Sequence, residues 1–208
     1  MNRGGDEMGW KCLKQVLIMM MIILLTGCGS SREPIKSAVS SALIGVQNYD
    51  ERTVEKYFGV NILDPNTFLD AKITNDIPFD RMMPQVVERF NFRILDVEDE
   101  GDCVIVYTEM TNVDMDKVMP LFYIEIFNRL FSNATLYEEG HPNQEELNEA
   151  YHQIMTYLIH SEEREMMTTT VEVHLIYEKD SWKIVLDEAV LNGIYGGLLT
   201  FFDEDEGV

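Results

Sequence analysis

The chain has 208 residues and three cysteines, with 16 Lys and Arg against 37 Asp and Glu for a formal net charge of -21. That length suits one domain with a single core and is short for a two-lobed receptor that closes around a solute. The acidity, with no basic patch interleaved with aromatics, excludes nucleic acid as a partner, because a phosphate backbone must be neutralised by Lys and Arg. It fits solubility at a crowded, partly anionic surface better than recruitment of a basic partner or divalent cations.

The first element is a leader. Val16 to Leu25 reads VLIMMMIILL, an unbroken apolar run preceded by Lys11 and Lys14 and followed by Thr26, Gly27 and Cys28. Such a run falls far short of the roughly 20 residues that span a hydrocarbon core, and lies within the roughly 7 to 15 of a signal-peptide h-region. The four residues Leu25 to Cys28, LTGC, resemble the lipobox of bacterial lipoproteins. The resemblance implies that the Cys28 thiol is diacylated and that a dedicated peptidase cuts in front of it, with Leu25, Thr26 and Gly27 as the cleavage flank. Residues 1–27 are then a signal peptide and 28–33 a polar tether. Met8 opens a more ordinary leader, without Asp6 and Glu7, and is a second candidate start.

Loss of the leader removes three basic and two acidic residues, which leaves a mature charge of about -22. It also removes Cys12, and lipid consumes Cys28, so no disulfide remains and stability must come from the core. Cys103, in CVIVY, is read as a small buried hydrophobe. Two acyl chains, each buried CH2 contributing about 0.8 kcal/mol, suffice to hold the domain at the bilayer.

From Pro34 the apolar period is helical: Ile35, Ala38, Val39, Ala42, Leu43 and Val46 recur at steps of three and four. Asp50 is positioned to cap a shorter helix carrying Val54, Tyr57 and Phe58 and closed by Gly59. Val60 to Asn75 has no assigned structure, and Pro78 to Phe90 is a third helix. The period then falls to two in FRILDV and CVIVYTEMTNVDM, two strands turning at Gly101. Asp114 to Ser132 is a helix apolar on more than one side, capped by Asp114 or Asp116. Gln144 to Glu163 is another, after a polar loop at residues 140–143. Two strands follow, TTTVEVHLIYE and WKIVL, joined by Lys179, Asp180 and Ser181, then a last helical stretch from Asp187 to Leu199 and an acidic tail over 201–208.

Helices, a hairpin, a helical excursion and a closing hairpin beginning Trp-Lys-Ile make an order that resembles the nuclear-transport-factor-2-like superfamily. More narrowly, the chain is similar to uncharacterised Gram-positive lipoproteins carrying such a domain. The residues behind this are FRILDVEDEGDCVIVYTEMTNVDMDKVM and VEVHLIYEKDSWKIVLDE, within a single domain spanning 34–200. The resemblance implies an α+β fold: N-terminal helices packed on a curved, cone-like antiparallel sheet of about four strands, with a helical pair between two hairpins. It also implies an apolar cavity, which in some members binds small molecules and in others catalyses proton transfer.

A catalytic member would need an acid-base group inside the cone. His174, the only histidine on a strand, alternates with Glu172 and Ile176, on the face opposite Val171, Val173, Leu175 and Tyr177. The pair is a surface feature if that face meets solvent, and a cavity pair if it points inward. His152 and His160, eight apart on one helix, are too far separated for one metal ion, and His141 sits in a polar loop. The EDEGD turn lacks the alternating ligands of a calcium loop, and no nucleotide-binding or nucleophile motif occurs.

The expected function is therefore a membrane-anchored, noncatalytic cell-envelope lipoprotein, without cofactor or metal, held at the extracytoplasmic face by its Cys28 diacylglyceryl group. It would bind a protein, peptide or small amphiphile at the cone mouth or an exposed apolar strip. The alternative is a cone-fold isomerase or dehydratase using His174 and Glu172. A purely structural module is a third reading.

Overall fold

The computed structural model describes residues 32–71, 77–99, 101, 103–132, 137–138 and 141–205. The chain divides into two compact units, Met1–Ser37 and Ala38–Val208. Of the first unit, residues 32–37 are described, all within helix α1 (Arg32–Gln47), which starts two residues ahead of Pro34. The second unit holds the rest of the fold.

Helix α2 (Glu51–Phe58) begins at Asp50, whose carboxylate accepts the Thr53 backbone N–H at 3.3 Å and the Thr53 hydroxyl at 2.6 Å. It ends at Gly59, whose φ of 78° is the left-handed conformation that glycine adopts without a Cβ penalty. The segment that follows is packed: Ile62 and Leu63 are buried, and Asp64 caps a 3-10 turn over Pro65–Thr67. Two tyrosines hold it down. The Tyr49 hydroxyl donates to the Leu63 carbonyl, and the fully buried Tyr195 hydroxyl donates to the adjacent Ile62 carbonyl.

After α3 (Phe79–Glu88) come β1 (Asn91–Asp99) and β2 (Val104–Val113), an antiparallel hairpin. Helices α4 (Met115–Ser132) and α5 (Gln144–His160) pack against each other, with a two-residue ladder between them, β3 (Tyr137–Glu138) with β4 (His141–Pro142). The long strand β5 (Met166–Glu178) and the short β6 (Ser181–Ile184) complete an open antiparallel sheet in the order β1-β2-β5-β6. Thus the two hairpins meet at their inner strands, and the paired helices connect them. Helices α6 (Glu188–Tyr195) and α7 (Leu198–Asp205) close the chain. The expected single terminal helix is broken by Gly196 and Gly197, both at positive φ, and the second piece runs into the acidic stretch as far as Asp205.

Alternation divides the sheet into two faces. Val104, Val106, Thr108, Met110 and Asn112 of β2 share the inner face with Val171, Val173 and Leu175 of β5, all buried. On β1, strict alternation from Phe92 and Ile94 would carry Asp96 into the core. A bulge at Leu95 prevents this: the register shifts between Ile94 and Asp96, Asp96 turns outward, and Val97 pairs with Val106 at 2% exposure. Helix α6 lies on the inner face at Gly193, where a Cβ would stand 2.7 Å from the Met110 sulfur and 2.9 Å from a Val171 methyl, so only glycine allows this approach.

Asn112 is the polar knot of this core. Its Nδ2 donates to the Val86 carbonyl at 3.0 Å and the Ile194 carbonyl at 2.7 Å, while its Oδ1 accepts the Val113 N–H at 2.8 Å. One side chain on β2 thus joins the last turns of α3 and α6. Asn192 acts similarly on α7, its Oδ1 accepting the Leu199 and Thr200 N–H groups at 3.0 and 3.2 Å.

Candidate functional site

Leu25, Thr26, Gly27 and Cys28, together with the whole signal-peptide reading, lie outside the described residues. Among the described residues, no helix is long and apolar enough to cross a membrane.

The inner face of the sheet is where a cone-type cavity would open, and side chains fill it. Val106, Thr108, Met110, Val173 and Leu175 have no accessible surface, nor do Met82, Met83, Met115, Met119, Phe122 and Met155 from the surrounding helices. A void large enough to admit water would leave area on these atoms. The methionines, unbranched and polarizable, take up the irregular space between sheet and helices.

His174 and Glu172 are on the other face. Their neighbours across β2 are Ile105 and Tyr107, and their side chains are 35% and 57% exposed, with Nε2 and Oε2 3.8 Å apart. Around them the outer face carries solvent-side pairs: Arg93 with Glu109 at 3.0 Å, the Tyr107 hydroxyl donating to Glu98, and Thr111 with Thr168. Of the two orientations the alternation allowed, the chain adopts the one that puts this pair in solvent. It does not line the core.

Of the remaining histidines, His141 lies on β4 and not in a loop, so His174 is not the only histidine on a strand, and the other two brace helices. On α5, His152 and His160 both face α3. The Gln85 amide, with its oxygen accepting from His152 Nε2 at 2.7 Å, gives its nitrogen to the Met82 and Arg81 carbonyls. His160 reaches Glu88 at 3.2 Å, while its Nδ1 is 2.9 Å from the Thr156 carbonyl. Their spacing of two turns therefore reflects two crossbars between α5 and α3. Among the described residues no cluster of His, Cys, Asp and Glu could hold a metal ion. In the EDEGD turn, the Asp99 carboxylate accepts the Gly101 N–H at 2.9 Å, and Gly101 takes a φ of 90°, as a tight turn requires. Cys103 is half-buried, not fully buried as its apolar neighbours suggest, because it stands at the turn just ahead of β2.

Grooves mark the surface, among them three lined by described residues. One of about 390 Å³ lies along Arg81, Glu145, Glu146, Glu149 and His152. Another of about 460 Å³ surrounds Tyr49, with Glu51, Asp64 and Asp80 on its walls. Burial pushes the Tyr49 hydroxyl above the usual tyrosine range, and those three carboxylates push it further, so the phenol is a poorer acid than usual and serves as a hydrogen-bond donor. Tyr195 is displaced further upward by its burial, with a lesser contribution from Tyr49. A third groove of about 280 Å³ runs between α4 and α5 beside Lys117, Leu121, Tyr157 and Leu158.

That third groove borders the feature that hydrophobic periodicity alone did not orient. Helix α4 buries Val118, Met119, Phe122 and Ile126, yet turns Leu121, Ile124, Phe127 and Phe131 to solvent at 50, 55, 56 and 86% exposure. Tyr157 of α5 is 71% exposed beside them. The signal in the sequence was the second apolar side of this helix, which a helix half-immersed in one core does not need.

The fold and these surfaces define an α+β protein: an open four-stranded antiparallel sheet, packed with helices and filled on its inner face. No protein-family model matches the chain, and no curated protein matches it. Among solved structures, the chain is similar to the crystal structure titled "a putative lipoprotein (ycdA)" from Bacillus subtilis subsp. subtilis str. 168, with 14% sequence identity and a TM-score of 0.48. The similarity covers 77% of this chain and 55% of that one, so the chain spans about half the length of that protein.

Proposed function

We propose that this chain is an exported lipoprotein, anchored through Cys28 to the extracytoplasmic face of a cell membrane, whose domain acts by binding and not by catalysis. The observation that carries the reading is the leader: Lys11 and Lys14, the run VLIMMMIILL, then the small residues Thr26 and Gly27 before Cys28. Among the described residues the inner face is filled and His174 and Glu172 stand on the solvent side, which supports the noncatalytic part. The helix, hairpin, helical pair, hairpin order supports placing the domain among nuclear-transport-factor-2-like folds. The ligand class within this reading is a protein, a peptide or a small amphiphile taken on an exposed apolar strip, the cone mouth being filled.

The test is metabolic labelling with a fatty-acid probe in cells producing wild type or Cys28→Ala, with and without an inhibitor of the lipoprotein-specific signal peptidase. Label on the wild type, its loss in the variant, and accumulation of the longer precursor under the inhibitor are expected. Label that survives in Cys28→Ala, or unlabelled wild type released from the membrane, overturns the anchor.

A further inference from the structure

We propose that the chain pairs with a second copy of itself through α4, the two helices lying antiparallel across a two-fold axis at Ile124. This inference rests on the exposed face of α4 and stands independently of the lipid anchor.

The solvent-facing side of α4 is formed by Lys117, Pro120, Leu121, Ile124, Phe127, Asn128 and Phe131, each exposed. Ile124 is the middle residue of this set. Leu121 and Phe127 lie three residues to either side, Pro120 and Asn128 four, and Lys117 and Phe131 seven. These are the steps that keep residues on one helical face. A two-fold axis at Ile124 therefore sets Ile124 against its own mate, Leu121 against Phe127 of the second copy, and the Lys117 ammonium against the ring of Phe131, a cation–π pairing.

Area and charge agree with this occupant. From their exposed fractions, Leu121, Ile124, Phe127 and Phe131 offer roughly 500 Å² per copy, so a pair covers about 1,000 Å² before Lys117, Pro120 and Asn128 are counted. That reaches the size at which specific interfaces separate from incidental contacts. In a chain of net charge -21, α4 carries Asp116 and Glu125 against Lys117 and Arg129. It is electrically balanced, so two acidic molecules repel each other least along this helix.

The test is cysteine cross-linking of the full chain in whole cells that produce it, in a Cys103→Ser background whose parent, which keeps the other cysteines, sets the baseline. Mild oxidation should join Ile124→Cys copies into a covalent dimer at least about tenfold above both the parent and an α5 surface control, Glu145→Cys, because facing residues at the axis come within disulfide reach. Phe131→Cys alone should stay at baseline, its two copies lying about 21 Å apart along the helices at 1.5 Å per residue. Co-produced Lys117→Cys and Phe131→Cys chains should cross-link to each other. Adding Phe127→Asp to Ile124→Cys should cut the dimer about tenfold, and since Phe127 is exposed that substitution does not threaten the core. Baseline cross-linking of the Ile124→Cys chain, equal yields from Ile124→Cys and Phe131→Cys, or a cross-link to a different protein would each overturn the proposal.

Discussion

Asn112→Ala is the sharpest test of how this core is held. The substitution removes two donors from the Val86 and Ile194 carbonyls and the acceptor of the Val113 N–H, in surroundings where Asn112 itself has no accessible surface. Each buried carbonyl left without a partner costs about 1–3 kcal/mol, so the pair accounts for about 4 kcal/mol. That is a large share of the roughly 5–15 kcal/mol that hold a domain together. With a urea m-value near 2 kcal/mol/M, the unfolding midpoint should fall by about 2 M, measured by circular dichroism and by tryptophan fluorescence. Asn112→Leu, which restores volume but no donor, should fall nearly as far. Asn112→Asp adds a direction with pH. A carboxyl buried there has a folded-state pKa above its unfolded value, so its deficit is smallest below the unfolded pKa and grows as pH rises through the folded one. A midpoint for Asn112→Ala within about 0.5 M of wild type would mean that water reaches the two carbonyls, and the account of a dry polar knot would be wrong.

Other expectations are more compact. Gly196→Ala should destabilise by several kcal/mol in the same urea titration, because the residue has a φ of 62° and its Cβ would lie 1.9 Å from the Val113 carbonyl oxygen; Gly59→Ala, also left-handed but in open space, should cost about 1 kcal/mol. Gly193→Ala should cost about 1–3 kcal/mol by forcing α6 off Met110 and Val171, and Gly193→Ala combined with Met110→Ala should lose less than the sum of the two single changes. The Tyr195 phenol should stay protonated in the folded chain as pH is raised past the ordinary tyrosine range, so ultraviolet difference spectra should show it ionising only with unfolding. Its folded pKa is raised, so its contribution is complete below the unfolded value of 10.0 and is lost as pH climbs beyond. Asp50 has the opposite sign: its hydrogen bonds from Thr53 lower its pKa, so its contribution is present above the unfolded value and lost as pH falls through the folded one. Asp50→Asn, which keeps the cap, should flatten the acid limb of the stability curve.

Local chemistry was legible in the sequence. The Asp50 cap, the Gly59 stop, the Gly101 turn and both hairpins all depend on residues within a few positions of one another, and each is where those residues put it. What escaped was set by partners far along the chain. The 62–63 segment looks featureless because the groups that fix it, the hydroxyls of Tyr49 and Tyr195, lie 14 and 133 residues away. The Leu95 bulge is invisible to a strict period of two. His174 and Glu172 could be assigned to one face by alternation, but which face met solvent was decided by α6 settling on the other side at Gly193. The second apolar side of α4 was visible from the start, while its outward direction was not.

The junction of the two hairpins also bears on how the protein reaches its structure. Strand β2 pairs with β5 from Val113 with Met166 to Val104 with Leu175, partners 53 to 71 positions apart in the chain. The loop that holds α4 and α5 must be closed before any of those contacts forms, so the entropic cost precedes the gain and sheet closure is the slow event of folding. The hairpins and helices can flicker into being locally in microseconds, but none of them is stable alone. Under the export proposed above, in which the chain is threaded unfolded through a membrane pore, that delay would keep it pliable until its C-terminal strands had emerged and would assign the final act of folding to the far side.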